Sequence, residues 1–141
     1  ENVGGAVGFA KALEIAEKMS VKEIRRLTRL RDTMTARLLK EISEIRVNSI
    51  PEGLPHIVHI SLGHIDGEAC VMYLDARGIV VSTGSACSSV SRKQSHILEA
   101  MGLLPHEIKG SLRFSFGRKT TRQDIEYTVD TLKKVITRLQ Q

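Results

Sequence analysis

Residues 79–89 read Ile-Val-Val-Ser-Thr-Gly-Ser-Ala-Cys-Ser-Ser, where an apolar run passes directly into small polar residues around a cysteine. Because β-branched residues favour an extended chain, we predict a short strand over 79–82. Gly84 then permits backbone torsions that other residues avoid. The pattern therefore places Cys87 on a loop at the end of a strand.

The chain before this stretch predicts another strand and a helix. Apolar residues that follow Pro55 indicate a strand over 57–62, which ends at Gly63. The spacing of apolar residues over 67–77 is helical, and Gly78 supplies a left-handed stop.

The chain after Cys87 begins with a short helix, which Ser95 can cap and which runs through Met101. Residues 111–116 then alternate in the manner of a strand. Its apolar residues share one side, so Arg113 lies on the other side.

The last segment predicts an amphipathic helix. Thr121 stands three residues before Asp124, which resembles a capping box with Asp in place of the usual Glu. The apolar positions that follow are three or four residues apart, and they are Ile125, Val129, Leu132, Ile136 and Leu139.

The first 42 residues predict two helices. The first extends from Glu1 to Met19, and Ser20 is a plausible N-cap of the second, with Glu23 at its third position. The second helix has an apolar stripe of Ile24, Leu27, Leu30, Met34, Leu38 and Ile42.

The order of these elements is α, α, β, α, β, α, β, α. It predicts an α/β chain of the α+β kind, in which a small mixed sheet carries helices on one face. The 141 residues have the size of one domain.

Composition excludes several classes of function. The net charge is +5, but Lys and Arg are scattered among Asp and Glu, so we expect no nucleic-acid partner. No apolar run approaches the roughly 20 residues that cross a bilayer. We expect no membrane insertion and, without a secretory leader, a cytoplasmic location.

The residues around Cys87 favour a reactive thiol. Small neighbours leave the sulfur uncovered, and Arg92 and Lys93 supply positive charge that lowers a thiol pKa. The alternative is that Cys87 is a small buried apolar residue, since free cysteine is often buried. Cys70 lies in an apolar helical stretch and is most simply part of the core.

Four ordered motifs resemble those of one enzyme family. They lie at 1–13 (Glu-Asn-Val-Gly-Gly-Ala-Val-Gly-Phe-Ala-Lys-Ala-Leu), 81–89, 95–102 (Ser-His-Ile-Leu-Glu-Ala-Met-Gly) and 110–118 (Gly-Ser-Leu-Arg-Phe-Ser-Phe-Gly-Arg). Together they resemble the carboxy-terminal third of NifS/IscS-type cysteine desulfurases, which are class V aminotransferases. The resemblance implies that residues 1–141 are the C-terminal small domain of an enzyme with the aspartate-aminotransferase fold.

The resemblance also implies a chemistry. Members of this family are homodimers that take sulfur from L-cysteine, leave alanine, and pass a persulfide to an acceptor such as an iron–sulfur scaffold protein. By position, Cys87 matches the persulfide-carrying cysteine, on a loop over residues 84–95. Arg113 matches the arginine that receives the substrate carboxylate. Transient contact of Cys87 with an iron–sulfur cluster stays open.

The resemblance places the cofactor, pyridoxal 5'-phosphate, on a large domain that is absent from this chain. Lys11, Lys93 and Lys119 match none of the cofactor-binding positions, so we expect this chain alone to be inactive. It can be a piece of a longer protein, half of a split enzyme, or a stand-alone sulfur carrier. A non-catalytic interaction module is the alternative from another class of protein.

The remaining polar residues favour structural roles. His96 and Asn2 stand where helices start, and Arg118 can pair with a carboxylate. Alternation along one strand separates three other histidines, so we expect no metal site from His56, His59 and His64.

Overall fold

The computed structural model describes residues 1–83 and 95–141 as helices packed on a small sheet. The elements in chain order are α1 (Val3–Glu41), β1 (Ile45–Val47), β2 (Ile57–Leu62), α2 (Gly67–Asp75), α3 (His96–Ala100), α4 (Pro105–Lys109), β3 (Ser111–Ser115) and α5 (Arg122–Leu139). The α+β class predicted from the sequence is confirmed.

The strands lie in the order β1-β2-β3, so β2 is central. Both pairings are antiparallel, with Val47 opposite Ile60 and Leu112 also opposite Ile60. The predicted mixed sheet is thus antiparallel throughout the described residues. Since side chains alternate along a strand, these apolar residues share the face on which α1 and α2 pack.

The core lies between this face and the helices. Met34 and Leu38 of α1 are fully buried, as are Val129 and Leu132 of α5, which packs against α1 and α2. The predicted stripe of α5 therefore faces the core, and that of α1 does so from Leu27 onwards, whereas Ile24 is exposed. None of the helices in the described residues is long and apolar enough to cross a membrane.

The predicted break at Ser20 is wrong, because α1 is one continuous helix of 39 residues. The Ser20 hydroxyl donates to the Glu17 carbonyl 2.9 Å away, inside the helix, and does not cap a new one. No Gly or Pro lies near this point, so nothing in the backbone stops the helix. The observed N-cap is Asn2, whose side chain accepts from the Gly5 N–H.

The sequence analysis did not predict two short elements, and one strand that it did predict is only an isolated bridge. β1 and α4 have three and five residues, too few to show a period. The predicted strand over 79–82 makes only one bridge, from Ser82 to Arg113. Other expectations are confirmed, since Gly78 has φ 74° and Thr121 forms its capping box with Asp124.

Ion pairs join the C-terminal half of α1 to α5. Arg37 donates to Glu41 at 2.6 Å and to Asp130 at 2.7 Å, and Lys133 donates to Glu41 at 2.9 Å. The two cations lower the pKa of Glu41 to about 2, with Arg37 as the larger cause. In the folded protein Glu41 therefore stays ionised at pH values well below those at which an ordinary carboxyl becomes protonated.

We predict that this network weakens in acid. A depressed pKa stabilises the fold above the ordinary value of 4.5, and the contribution is lost as the pH falls towards 2. The thermal unfolding midpoints of the parent and of Glu41→Gln should thus differ most above pH 4.5 and become equal as the pH approaches 2. The control is Glu17→Gln, which alters an exposed carboxylate of α1 without an ion pair among the described residues. A difference for Glu41→Gln that does not change with pH would contradict the role of the network.

Candidate active site

Arg113 stands on the polar face of the sheet, opposite to the helices. It lies in β3 between the buried residues Leu112 and Phe114, so its side chain points away from the core. Its guanidinium has no hydrogen bond or ion pair with any described residue, whereas Arg26, Arg31 and other arginines are paired. An unpaired, exposed guanidinium is suited to bind a carboxylate.

The chain that leads to Cys87 runs beside Arg113. Ser82 exchanges two backbone hydrogen bonds with Arg113, at 2.7 and 3.2 Å. This pair fixes the main chain at Ser82 beside Arg113. Cys87 itself, with Arg92 and Lys93, lies outside the described residues, so its role stays a prediction.

A polar cluster occupies the neighbouring strands of the same face. His59 of β2 is directly opposite Arg113. Asn48 follows β1, and its Nδ2 atom lies 2.9 Å from His59 Nδ1 and donates to Ser61 Oγ at 2.9 Å. Ser111 is opposite Ser61 and is fully buried. Asn48, His59, Arg113 and Ser82 thus form one row across the sheet.

This cluster contains enclosed polar atoms without partners in the described residues. They are Asn48 Oδ1, His59 Nε2 and Ser111 Oγ. Burial lowers the pKa of His59, and the charge of Arg113 lowers it further. Both effects favour the uncharged form of the imidazole.

Among the described residues, neither the other histidines nor Arg118 form a metal site with this cluster. His64 stacks on His106 with ring centroids 5.8 Å apart, and His96 is exposed at the start of α3. The described residues hold no group of three or more His, Cys, Asp or Glu side chains suited to a metal. Arg118 is exposed beyond β3.

Cys70 is confirmed as a core residue. It is fully buried in α2, and desolvation raises its pKa to about 11, with a smaller effect of Asp66. A thiol with this pKa is almost entirely protonated at neutral pH and is a poor nucleophile.

The described residues do not form a site for pyridoxal phosphate. A lysine that binds this cofactor as a Schiff base needs a desolvated or otherwise activated amine. The lysines of the described residues are exposed or half-buried. Lys11 pairs with Glu14, Lys133 pairs with Glu41, and Lys119 is exposed.

Comparison with known proteins identifies the family. The family model described as aminotransferase class V matches residues 1–128, so this chain belongs to the aminotransferase class-V family. It is 41% identical over 140 residues to "Cysteine desulfurase IscS" of Dictyoglomus turgidum, covering 99% of this chain and 36% of the relative. It is 44% identical over 140 residues to "Cysteine desulfurase IscS 1" of Archaeoglobus fulgidus, with the same coverage.

Solved structures agree with this assignment. A NifS-like protein matches 99% of this chain with a TM-score of 0.84 and 26% identity, and the match covers 35% of that structure. This chain thus spans about a third of the length of the relatives that it matches. The predicted resemblance to NifS/IscS-type proteins is confirmed.

The sequence analysis named Arg113 as a candidate site residue but missed the polar row beside it. Alternation places His59 and Ser61 on the non-core face of β2, and this signal was available from the sequence. The pairing of His59 with Arg113 and the approach of Asn48 depend on strand register, which no local pattern in these segments specifies.

We predict that the two thiols differ strongly in reactivity. In Cys87→Ala only Cys70 remains, and a pKa of about 11 leaves far less thiolate than in an ordinary cysteine. Alkylation at neutral pH should be on the order of 100-fold slower than for a free cysteine. Cys70→Ala is the matched variant and should retain fast labelling. Equal rates in the two variants would contradict a reactive Cys87.

Proposed function

We propose that this chain is the C-terminal small domain of a cysteine desulfurase, with Cys87 as sulfur carrier and Arg113 as substrate anchor. The observation that carries the proposal is the unpaired guanidinium of Arg113 directly beside Ser82. Cys87 follows Ser82 by five residues, a covalent spacing that allows its thiol to reach a ligand held by Arg113. The names of the relatives support the same activity.

Arg113 supplies carboxylate recognition in this proposal. A guanidinium presents parallel N–H donors that match the two oxygens of a carboxylate. Because β3 is held between β2 and Ser82, the main chain at Arg113 is fixed on both sides. A fixed backbone reduces the entropy lost when the side chain orders around L-cysteine.

Cys87 supplies the nucleophile. The carbon–sulfur bond of L-cysteine breaks, and a sulfur–sulfur bond forms at Cys87 Sγ. Cys87 loses its thiol proton, and one proton takes the place of sulfur on the β-carbon, which gives the methyl group of alanine. L-Cysteine and one enzyme thiol thus give L-alanine and one enzyme persulfide. A thiol of an acceptor such as an iron–sulfur scaffold protein then attacks the outer sulfur. The sulfur–sulfur bond at Cys87 breaks, a persulfide forms on the acceptor, and Cys87 returns to the thiol.

The proposal assigns pyridoxal phosphate, which makes the carbon–sulfur bond cleavable, to a large domain outside these 141 residues. The first half of α1 supports a missing partner domain, because it is exposed and rich in apolar residues. Single exposed apolar residues are ordinary, but a cluster marks a contact surface. The exposed apolar side chains from the start of α1 through Ile24 are Val3, Val7, Phe9, Leu13, Ile15, Met19, Val21 and Ile24.

The complete enzyme is proposed to be a homodimer that acts in the cytoplasm, where thiols are kept reduced.

An intact-mass experiment tests the proposal that this chain carries sulfur in a cysteine desulfurase. This chain is mixed with L-cysteine and pyridoxal phosphate, alone and with a candidate large-domain chain. We expect a gain of one sulfur on Cys87 only with the large domain. Loading by this chain alone would favour a stand-alone carrier, and no loading would favour an interaction module.

We predict that Cys87→Ala abolishes sulfur transfer in the complete enzyme without changing the fold, because no other described thiol is reactive. Cys70→Ala is the control with the same atoms removed, and it should still load sulfur. Alanine formation with transfer to an acceptor is the measurement. Retained transfer in Cys87→Ala would contradict the nucleophile assignment.

Arg113→Ala should mainly weaken binding of L-cysteine. Loss of a hydrogen bond between charged groups costs about 1.5–3 kcal/mol, which is about 10- to 150-fold in KM. The control is Arg122→Ala, which alters an exposed arginine of α5. An unchanged KM in Arg113→Ala would count against the anchor.

A further inference from the structure

The row formed by Asn48, His59, Arg113 and Ser82 couples Arg113 to β2 as well as to the chain that precedes Cys87. His59 and Arg113 are directly opposite in an antiparallel pair, so their side chains leave the same face. Asn48 extends the row, because its N–H donates to the His59 carbonyl at 2.8 Å. His59 is therefore the nearest cross-strand neighbour of Arg113 on β2.

Two contacts fix His59 in this row. Its backbone N–H donates to Ser49 Oγ at 2.8 Å, which anchors the main chain. Its Nδ1 atom lies 2.9 Å from Asn48 Nδ2, which also donates to Ser61 Oγ. With the amide nitrogen as donor, Nδ1 is an acceptor and the ring proton is on Nε2. A ring that accepts at Nδ1 is uncharged.

The charges around His59 explain why a neutral ring matters. Like charges directly opposite each other in a sheet destabilise the pair, and opposite charges form a cross-strand ion pair. In the next row of the sheet Arg46 is opposite Ser61, and it pairs with Glu107 of α4 at 3.0 Å. The described residues thus leave Arg113 without a carboxylate.

We propose that His59, fixed by Asn48 and Ser49, is a positioning residue for Arg113. It places an uncharged imidazole directly across from the guanidinium, which is neither repelled nor neutralised within the sheet and keeps its charge for the substrate carboxylate. This inference rests on the proposed function, which it deepens by naming the group that leaves Arg113 available. His59 acts through Arg113 and takes no part in sulfur transfer.

The first test is an NMR titration of the His59 ring in this chain, which needs no enzyme activity. We expect a pKa below the ordinary value of 6.5. Arg113→Gln removes the facing positive charge from an exposed position, so it should raise this pKa. Asn48→Asp should raise it further by accepting a proton from Nδ1. A His59 titration that neither substitution moves would overturn the inference.

The second test compares two substitutions at position 59 in the complete enzyme. His59→Asp places a carboxylate across from Arg113, and its ion pair should compete with the substrate. We expect KM for L-cysteine to rise at least about tenfold, with a much smaller change in kcat. His59→Asn is neutral and polar, and it should retain a KM close to that of the parent.

The two tests separate the inference from the proposed function. If the parent enzyme releases no alanine from L-cysteine, the proposed function fails, and the assignment of Arg113 to a substrate carboxylate fails with it. If the parent is active but His59→Asp folds and retains its KM, only the inference is overturned. If His59→Asp does not fold, the titration of Arg113→Gln decides.

Discussion

The antiparallel pairing of β2 with β3 is the constraint on which the rest of the molecule depends. On one face it brings Val58 and Ile60 together with Leu112 and Phe114, which are all buried beneath the helices. On the other face the same register sets His59 against Arg113. Since a slip of one residue would exchange the two faces, the apolar core and the polar row are specified by the same set of hydrogen bonds.

Two segments of the chain approach each other closely at the start of β3, and this approach supports the register. Gly110 precedes β3, and a Cβ atom there would overlap the Leu62 carbonyl oxygen. The Leu62 N–H also donates to the Gly110 carbonyl at 3.0 Å, which ties the end of β2 to the start of β3. Any larger residue would force the start of β3 away from the end of β2. The identity of one glycine therefore bears on the placement of Arg113 three residues later.

Much of this arrangement follows from local sequence patterns. Alternation predicted which face of β3 is buried, and it placed Arg113 outward. The apolar stripe of α5 and its Thr121 cap were equally visible. The patterns failed where they depend on context: Ser20 is a good N-cap residue, but its hydroxyl is satisfied by the Glu17 carbonyl in a helix that continues. The row around His59 depends on contacts between segments that are distant in sequence.

The length of α1 has a mechanical consequence. Its 39 residues form a rod about 58 Å long at 1.5 Å per residue. The second half is clamped to α5 and the sheet, whereas burial of its apolar residues begins only at Leu27. An uninterrupted helix resists bending. A domain bound to the exposed first half of α1 would therefore transmit its motion along the helix to the sheet. Tilting that domain would reorient the polar face as a unit, without a hinge within the helix.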